Sequence, residues 1–455
     1  MKMKKLFLLC TLLVAVATVH AAKRPNVVLV ITDDQGYGDL SCHGNPVLKT
    51  PHLDKLHSES VRLTDYHVAP TCSPTRAALI TGHWTNRTGV WHTIMGRSML
   101  RHNEVTIGKI LGDGGYHTGM FGKWHLGDNY PYRPEDRGFQ EVLRHGGGGV
   151  GQTPDFWDNA YFDGAYFHNG KAVPAKGFCT DVFFDYAKRF ITKVKDSDKP
   201  FFVYLCTNAP HGPMHAPEKF AKPYAKQGVN VANFLGMVAN IDDNVGRMRD
   251  FLQKEGLAEN TIFIFTTDNG TTLGRNIFNA GMRGSKGSEY DGGHRVPFIL
   301  RWPAKIKAGS KWMQPVCQTD ILATLAELVG QQLPANAGED SVSFLNVLDG
   351  GKTQPQRLPM IHHSMQGRYA IRSANWKLVM ETRKEGRELY NLANDPGESR
   401  NVLEQHPKIA TELTRKITEI VTRGRTTAGP AVGNDTPWWP DLTWIKNTNP
   451  NPKAP

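Results

Sequence analysis

Hydrophobic and polar positions along this chain follow two alternating patterns. Asn26 to Thr32, Phe201 to Cys206 and Thr261 to Thr267 are continuous apolar, β-branched or aromatic runs. Runs of that length and kind mark strands buried on both faces of a parallel sheet. Shorter strand-like stretches cover Tyr116 to Phe121 and Val296 to Leu300. Between them, helical spacing of apolar positions predicts helices over 53–58, 74–80, 105–111, 181–195, 229–254 and 318–329. Strands that alternate with helices predict an α/β fold, a doubly wound and mostly parallel sheet with helices on both faces.

The pattern changes near Leu348-Asp349-Gly350-Gly351-Lys352-Thr353-Gln354-Pro355, a run of chain breakers that reads as a boundary. Beyond it, Tyr369 to Arg372 and Trp376 to Glu381 read as hairpin strands, and Lys408 to Val421 as an amphipathic helix covering them. This predicts a main domain over 22–350 and a smaller C-terminal α+β subdomain over 351–455, with an antiparallel sheet, a helix and a tail. The tail carries Trp438, Trp439 and Trp444, which argue against plain disorder. They either pack back on the body or line a cleft where a sugar could stack. No internal repeat is visible.

Composition adds a compartment. Met1-Lys2-Met3-Lys4-Lys5, then an apolar stretch from Leu6 to Val19, then His20-Ala21-Ala22 has the form of a secretory leader over residues 1–21, with a bacterial look. No later run is long and apolar enough to span a bilayer. The expected location is periplasmic or extracellular. Loss of Lys2, Lys4 and Lys5 takes the formal charge from +11 to +8. Such an excess favours encounter with anions such as a sulfated glycan, although scattered basic residues are also an ordinary surface. No nucleic-acid-binding module is present. Five cysteines remain, Cys42, Cys72, Cys179, Cys206 and Cys317, and an odd number in an exported chain flags one special thiol. The pairing of the other four is left open.

The candidate chemistry sits at the strand ends. Asp33-Asp34 follows the first buried strand, and Asp268-Asn269-Gly270 follows the strand ending at Thr267. Adjacent carboxylates at a buried strand end repel unless a cation joins them, and this all-oxygen set suits Ca²⁺ or Mg²⁺ rather than zinc. Ligands of open α/β sheets bind at that end of the strands. Cys72-Ser73-Pro74-Thr75-Arg76 starts a helix, with Ser73 as the expected N-cap, Pro74 at the first helical position and Cys72 just ahead of it. Free N–H groups and the dipole there favour an anion, toward which Arg76 can aim a planar fork. Alone, the motif reads as a buried cysteine at a helix start; the strand-end carboxylates change that reading. Lys123-Trp124-His125, Asn208-Ala209-Pro210-His211 and Arg283-Gly284-Ser285-Lys286 add cations and imidazoles in loops that follow or precede predicted strands.

Cys72-Ser73-Pro74-Thr75-Arg76 and the Ala77-to-Gly82 stretch resemble the activation motif of type I sulfatases, and the likeness extends from Arg24 to about Asn401. The resemblance implies an alkaline-phosphatase-like fold and a sulfuric ester hydrolase. It implies that a separate maturation enzyme converts Cys72 to formylglycine, and that one Ca²⁺, or Mg²⁺, is bound by Asp33, Asp34, Asp268, Asn269 and the modified Cys72. Arg76, Lys123 and His125 would hold the formylglycine, Lys286 would bind sulfate oxygens, and His211 would serve the leaving-group oxygen. The expected substrate is a sulfated carbohydrate. Alternatives are a phosphodiesterase or phosphonate hydrolase on the same scaffold, and a catalytically silent glycan-binding protein. The run His145 to Gly151 departs from the family pattern and has no assigned role, with His145 a candidate. Trp91, His92, His145, Arg283 and His294 are candidate sugar contacts, each with a structural role as the other reading.

Overall fold

The computed structural model describes residues 24–94, 97–348, 357–433 and 442–445. A ten-stranded sheet runs through its middle. Across the sheet the strands are Lys311–Trp312, Val61–Leu63, Phe298–Arg301, Thr261–Thr267, Asn26–Thr32, Phe201–Cys206, His117–Gly122, Glu141–Arg144, Ala165–His168 and Lys171–Pro174. The five from Thr261–Thr267 to Glu141–Arg144 are mutually parallel. Phe298–Arg301 is antiparallel to its neighbours, as are the last two strands at the other edge.

Asn26–Thr32 lies in the centre, with Val28 beside Val203 on one side and Phe263 on the other. All seven of its residues are buried. Their alternation feeds two cores. Val27, Leu29 and Ile31 pack with helices Cys72–Thr81, Ile107–Asp113 and Asp320–Leu328. Val28 and Val30 pack with helices Cys179–Val194 and Val229–Lys254. Two apolar faces on one strand thus require helices on both sides of the sheet, as the strand–helix alternation predicts.

One local expectation is corrected. Cys72 is the first residue of its helix rather than the residue ahead of it, and Thr71, not Ser73, is the N-cap. Thr71 is extended (φ −146°, ψ 166°), and its carbonyl accepts from Thr75 N at 3.2 Å, so the helical turn closes one residue earlier. Pro74 still sits in the first turn, where its missing N–H is not needed.

The C-terminal part is a four-stranded antiparallel sheet, Met360–His363, Tyr369–Ser373, Trp376–Val379 and Glu388–Asn391. Helix Pro407–Arg423 covers it, with Leu413 and Ile417 against Ile371, Leu378 and Leu389. Trp444 packs edge-on against Tyr369 at 5.6 Å, which is the packing alternative for that tryptophan. Trp438 and Trp439, the leader and the breaker run 349–356 lie outside the described residues. Cys42, Cys72, Cys179, Cys206 and Cys317 are all free. Among the described residues, no helix is long and apolar enough to cross a membrane.

Candidate active site

The parallel strands deliver their polar residues to one edge. Asp33 and Asp34 follow Asn26–Thr32, and Asp268 and Asn269 follow Thr261–Thr267. Lys123 and His125 follow His117–Gly122, and His211 lies five residues past Phe201–Cys206. The start of helix Cys72–Thr81 and the loop holding Lys286 close the group. All ten residues expected from the sequence are brought together here.

Each carboxylate has a cation. Arg76 donates twice to Asp268 Oδ2, from Nε at 3.1 Å and Nη2 at 2.7 Å, and its Nη1 donates to Lys123 O at 3.0 Å. Lys123 Nζ pairs with Asp33, and Lys286 Nζ lies 2.5 Å from Asp34 Oδ1. Asp34 Oδ1 also accepts from Asn269 Nδ2 at 2.9 Å, and Asp34 Oδ2 is 3.9 Å from His211 Nε2. Burial alone would push the Asp33 carboxyl up, but Lys123 first, with His211, Arg76 and Lys286 behind it, holds it well below the usual range. Asp268 goes the other way: burial and then the Asp33 charge push it well up despite Arg76.

Cys72 is buried at the floor of this cluster, its Sγ 3.4 Å from His125 Nδ1. His125 Nε2 lies 3.2 Å from the carbonyl of Thr93, and a carbonyl can only accept. The ring proton is therefore on Nε2, and the Nδ1 lone pair faces position 72. Burial, and then Lys123, keep this imidazole neutral by pushing its pKa well down. His211 is held differently. Its Nδ1 donates to Gly212 O at 2.7 Å, which leaves Nε2 toward Asp34 and the cleft, while Tyr161 Oη donates to the His211 carbonyl at 2.9 Å.

The residues fit a hard divalent cation. One ligand atom each from Asp33, Cys72 and Asp268 lies within 4.8 Å of the others. Asp33 Oδ1 and Asn269 Oδ1 are buried with no hydrogen-bond partner, an arrangement that costs free energy unless something binds them. Three carboxylates are balanced by Arg76, Lys123 and Lys286, so a dication would leave the excess positive charge that draws in an anion.

A cleft of about 430 Å³ opens above Cys72, His125, His211 and Lys286. Its walls include Thr93, Ser98, Asp128, Asn129 and Gln152, which the sequence did not single out because they sit in loops with no periodic pattern. Gly147 and Gly148 also line it. A Cβ on Gly148 would come within 2.6 Å of the His125 ring, so the glycine run lets that loop close over the imidazole. His145 is fully buried against Phe183 instead. His294 is likewise buried, 2.9 Å from His363 O. Arg283 bonds Glu388 and Tyr390 of the C-terminal sheet. Trp91 packs on the C-terminal core, and neither it nor His92 is in the cleft wall. Burial gives His145 and His294 the structural reading, and Arg283 is tied to the C-terminal sheet.

Buried carboxylates, matched cations and a cleft over Cys72 at the carboxyl edge of a parallel sheet make a site suited to a divalent cation and an oxyanion. The sulfatase family model matches residues 25–331, and the model for the C-terminal part of N-sulphoglucosamine sulphohydrolase matches residues 285–423. The chain is 29% identical to N-acetylgalactosamine-6-O-sulfatase of Bacteroides thetaiotaomicron, over 88% of this chain and 94% of that protein. It is 30% identical to human arylsulfatase A, over 86% of each. The solved structure of Ps i-CgsB in complex with k-i-k-neocarrahexaose superposes with a TM-score of 0.79 at 28% identity, covering 87% of this chain and 92% of that one. This chain belongs to the sulfatase family, and the reaction class is sulfate ester hydrolysis.

Proposed function

We propose that this protein is an exported sulfatase acting on sulfated carbohydrate, matured at Cys72 to formylglycine by a separate enzyme and dependent on one Ca²⁺ or Mg²⁺. The observation that carries the reading is Cys72 at the cleft floor, within reach of Asp33, Asp268 and His125. The names of similar proteins, which specify N-acetylgalactosamine and k-i-k-neocarrahexaose, support a carbohydrate substrate. We place the catalytic domain at 22–350 and the C-terminal subdomain at 351–455, with the leader over 1–21 removed on export.

Asp33, Asp34, Asp268 and Asn269 would hold the cation, with position 72 as a further ligand. The metal and the formylglycine would together supply sulfate charge neutralisation and a hydroxyl nucleophile. The chain's own residues do the rest. Arg76 and Lys123 fix the two carboxylates that flank position 72. Neutral His125 offers Nδ1 as a proton acceptor there. Lys286, at the cleft wall, binds sulfate oxygens when it exchanges Asp34 for substrate. His211 Nε2 is placed to give a proton to the leaving oxygen.

Mass spectrometry of the peptide spanning Cys72 tests the modification: conversion of the thiol to an aldehyde lowers the mass by roughly 18 Da. Cys72→Ala should lose sulfate release with its fold intact. An unmodified Cys72 in active protein, or an active Cys72→Ala variant, sinks the proposal.

A further inference from the structure

A second group of metal-ligand side chains lies outside the active cleft. Cys42, His43 and His57 are each partly exposed, and one ligand atom from each lies within 4.8 Å of the others. The donor set differs in kind from the oxygen-rich set at the strand ends. One thiolate and two imidazoles suit a borderline-soft ion with tetrahedral preference, which is zinc before calcium or magnesium.

The neighbours prepare the imidazoles. His43 Nδ1 is 2.8 Å from the carbonyl of Tyr37, so it carries the ring proton and leaves the Nε2 lone pair free. A metal-binding histidine is commonly held this way, by a hydrogen bond from its other nitrogen to a carbonyl or carboxylate. The ring is stacked on Tyr37 at 4.1 Å, which fixes its plane. His57 stands edge-on to His43 at 5.5 Å. Its Nε2 accepts a long bond from Arg62 Nη1 at 3.3 Å, and Arg62 keeps the Gly309 carbonyl at 3.0 Å when that bond is given up. Asp54 accepts from Cys42 N at 3.0 Å, which anchors the backbone beside the thiol; burial, and then the Asp54 charge, push that thiol well up, so the metal itself displaces its proton. Both imidazoles stay neutral, since burial pushes each down to about 4.

We propose that Cys42, His43 and His57 bind one zinc ion, with water in the fourth position. The Cys42 S–H proton passes to solvent as the sulfur–zinc bond forms, and no redox step is involved. Tetrahedral bonds of the usual zinc lengths put ligand atoms about 3.6 Å apart, so the side chains close in by about an ångström, within rotamer freedom. The ion would tie residues 35–43, which lead out of Asp33-Asp34, to helix Pro51–Ser58, which carries His57. Its role is to brace that segment rather than to touch substrate.

The test uses the full-length exported protein without an affinity tag, in excess Ca²⁺ and a non-thiol reductant, with Cys72→Ser to remove the other candidate thiol. Co²⁺ is the probe. One equivalent should bind with a thiolate-to-cobalt charge-transfer band, and Zn²⁺ should displace it. Cys42→Ser should lose the band, and His57→Ala, at a partly exposed position, should weaken zinc binding at least tenfold. Zinc should raise the thermal midpoint of the parent but not of Cys42→Ser. Cobalt binding without a thiolate band, or equal zinc affinity in the parent and both folded variants, overturns the site.

Discussion

Asp34 and His125 have positive φ values, 65° and 60°, a region non-glycine residues seldom occupy. Such backbone costs stability and gathers at functional sites, where surrounding contacts hold it. Here it turns Asp34 toward Lys286 and His125 toward Cys72. These placements separate two roles. His211→Ala should cost about tenfold more on a sulfated sugar than on a nitrophenyl sulfate, because only the sugar alkoxide needs a full proton. Lys286→Ala should depress both alike, since sulfate oxygens are common to both. Steady-state kinetics of two variants on two substrates decides it, and equal losses for His211→Ala remove it from the acid role. Chelation should stop turnover, Ca²⁺ or Mg²⁺ should restore it, and Asp33→Ala or Asp268→Ala should mimic it; activity that survives chelation excludes the metal. Asp33, Asp34, Lys123, His125, His211, Asp268 and Asn269 could be placed near one another because they follow buried strands, where open α/β sheets bind ligands, whereas Cys72, Arg76 and Lys286 stood out through their motif and the family resemblance. Asp128 and Gln152 were not legible, since a polar loop residue looks the same in a cleft as on any surface. His294 and His145 were left with two readings for the same reason: a loop histidine can be folded inward, and only tertiary packing shows it.

At the scale of elements, the helix Cys72–Thr81 is fixed from both ends. Its start is set by Thr71, and its far end leads to His83, which pairs with Glu104 at 2.9 Å and with Glu339. Burial would lower the His83 pKa, but the two carboxylates override it and raise it to about 9. A raised histidine contributes stability that is complete below its unfolded value near 6.5 and lost as pH passes through 9. At 1.36 kcal/mol per pKa unit that is on the order of 3 kcal/mol. Thermal unfolding of wild type and His83→Gln should differ most near pH 6 and converge above pH 9; a pH-independent gap rules the linkage out. The glycine loop offers a second test. Gly148→Ala should displace the His125 ring and cut kcat by tenfold or more, because ångström shifts at a reacting centre cost that much, while the unfolding midpoint stays near wild type. Wild-type kcat in that variant would show that the loop does not position the imidazole. The buried strands and the long helices were readable from the sequence pattern, helix Val229–Lys254 to the residue, but short strands such as Val61–Leu63 and Glu141–Arg144 were not. The antiparallel direction of Phe298–Arg301 was not, because strand direction leaves no mark on side-chain alternation.

Across the whole molecule, the C-terminal sheet is wired into the segment that follows Lys286. Lys377 on strand Trp376–Val379 is fully buried, with Nζ 2.9 Å from Asp291 and 2.7 Å from Glu398. Asp291 opens the short helix five residues past Lys286. Lys377→Met would leave two buried carboxylates without their cation, at about 3–5 kcal/mol. The variant should unfold at a clearly lower temperature and also lose sulfate release at temperatures where it is still folded. A stable, fully active Lys377→Met protein would show that the two parts are energetically independent. The central position of Asn26–Thr32 has a consequence for biogenesis. Its partners, Phe201–Cys206 and Thr261–Thr267, are made some 170 and 230 residues later. Both edges of this strand therefore stay open until Phe201–Cys206 has been made, in the state most prone to pair with another chain. A holdase that shields Asn26–Thr32 would suit a chain whose central strand is made long before either of its partners.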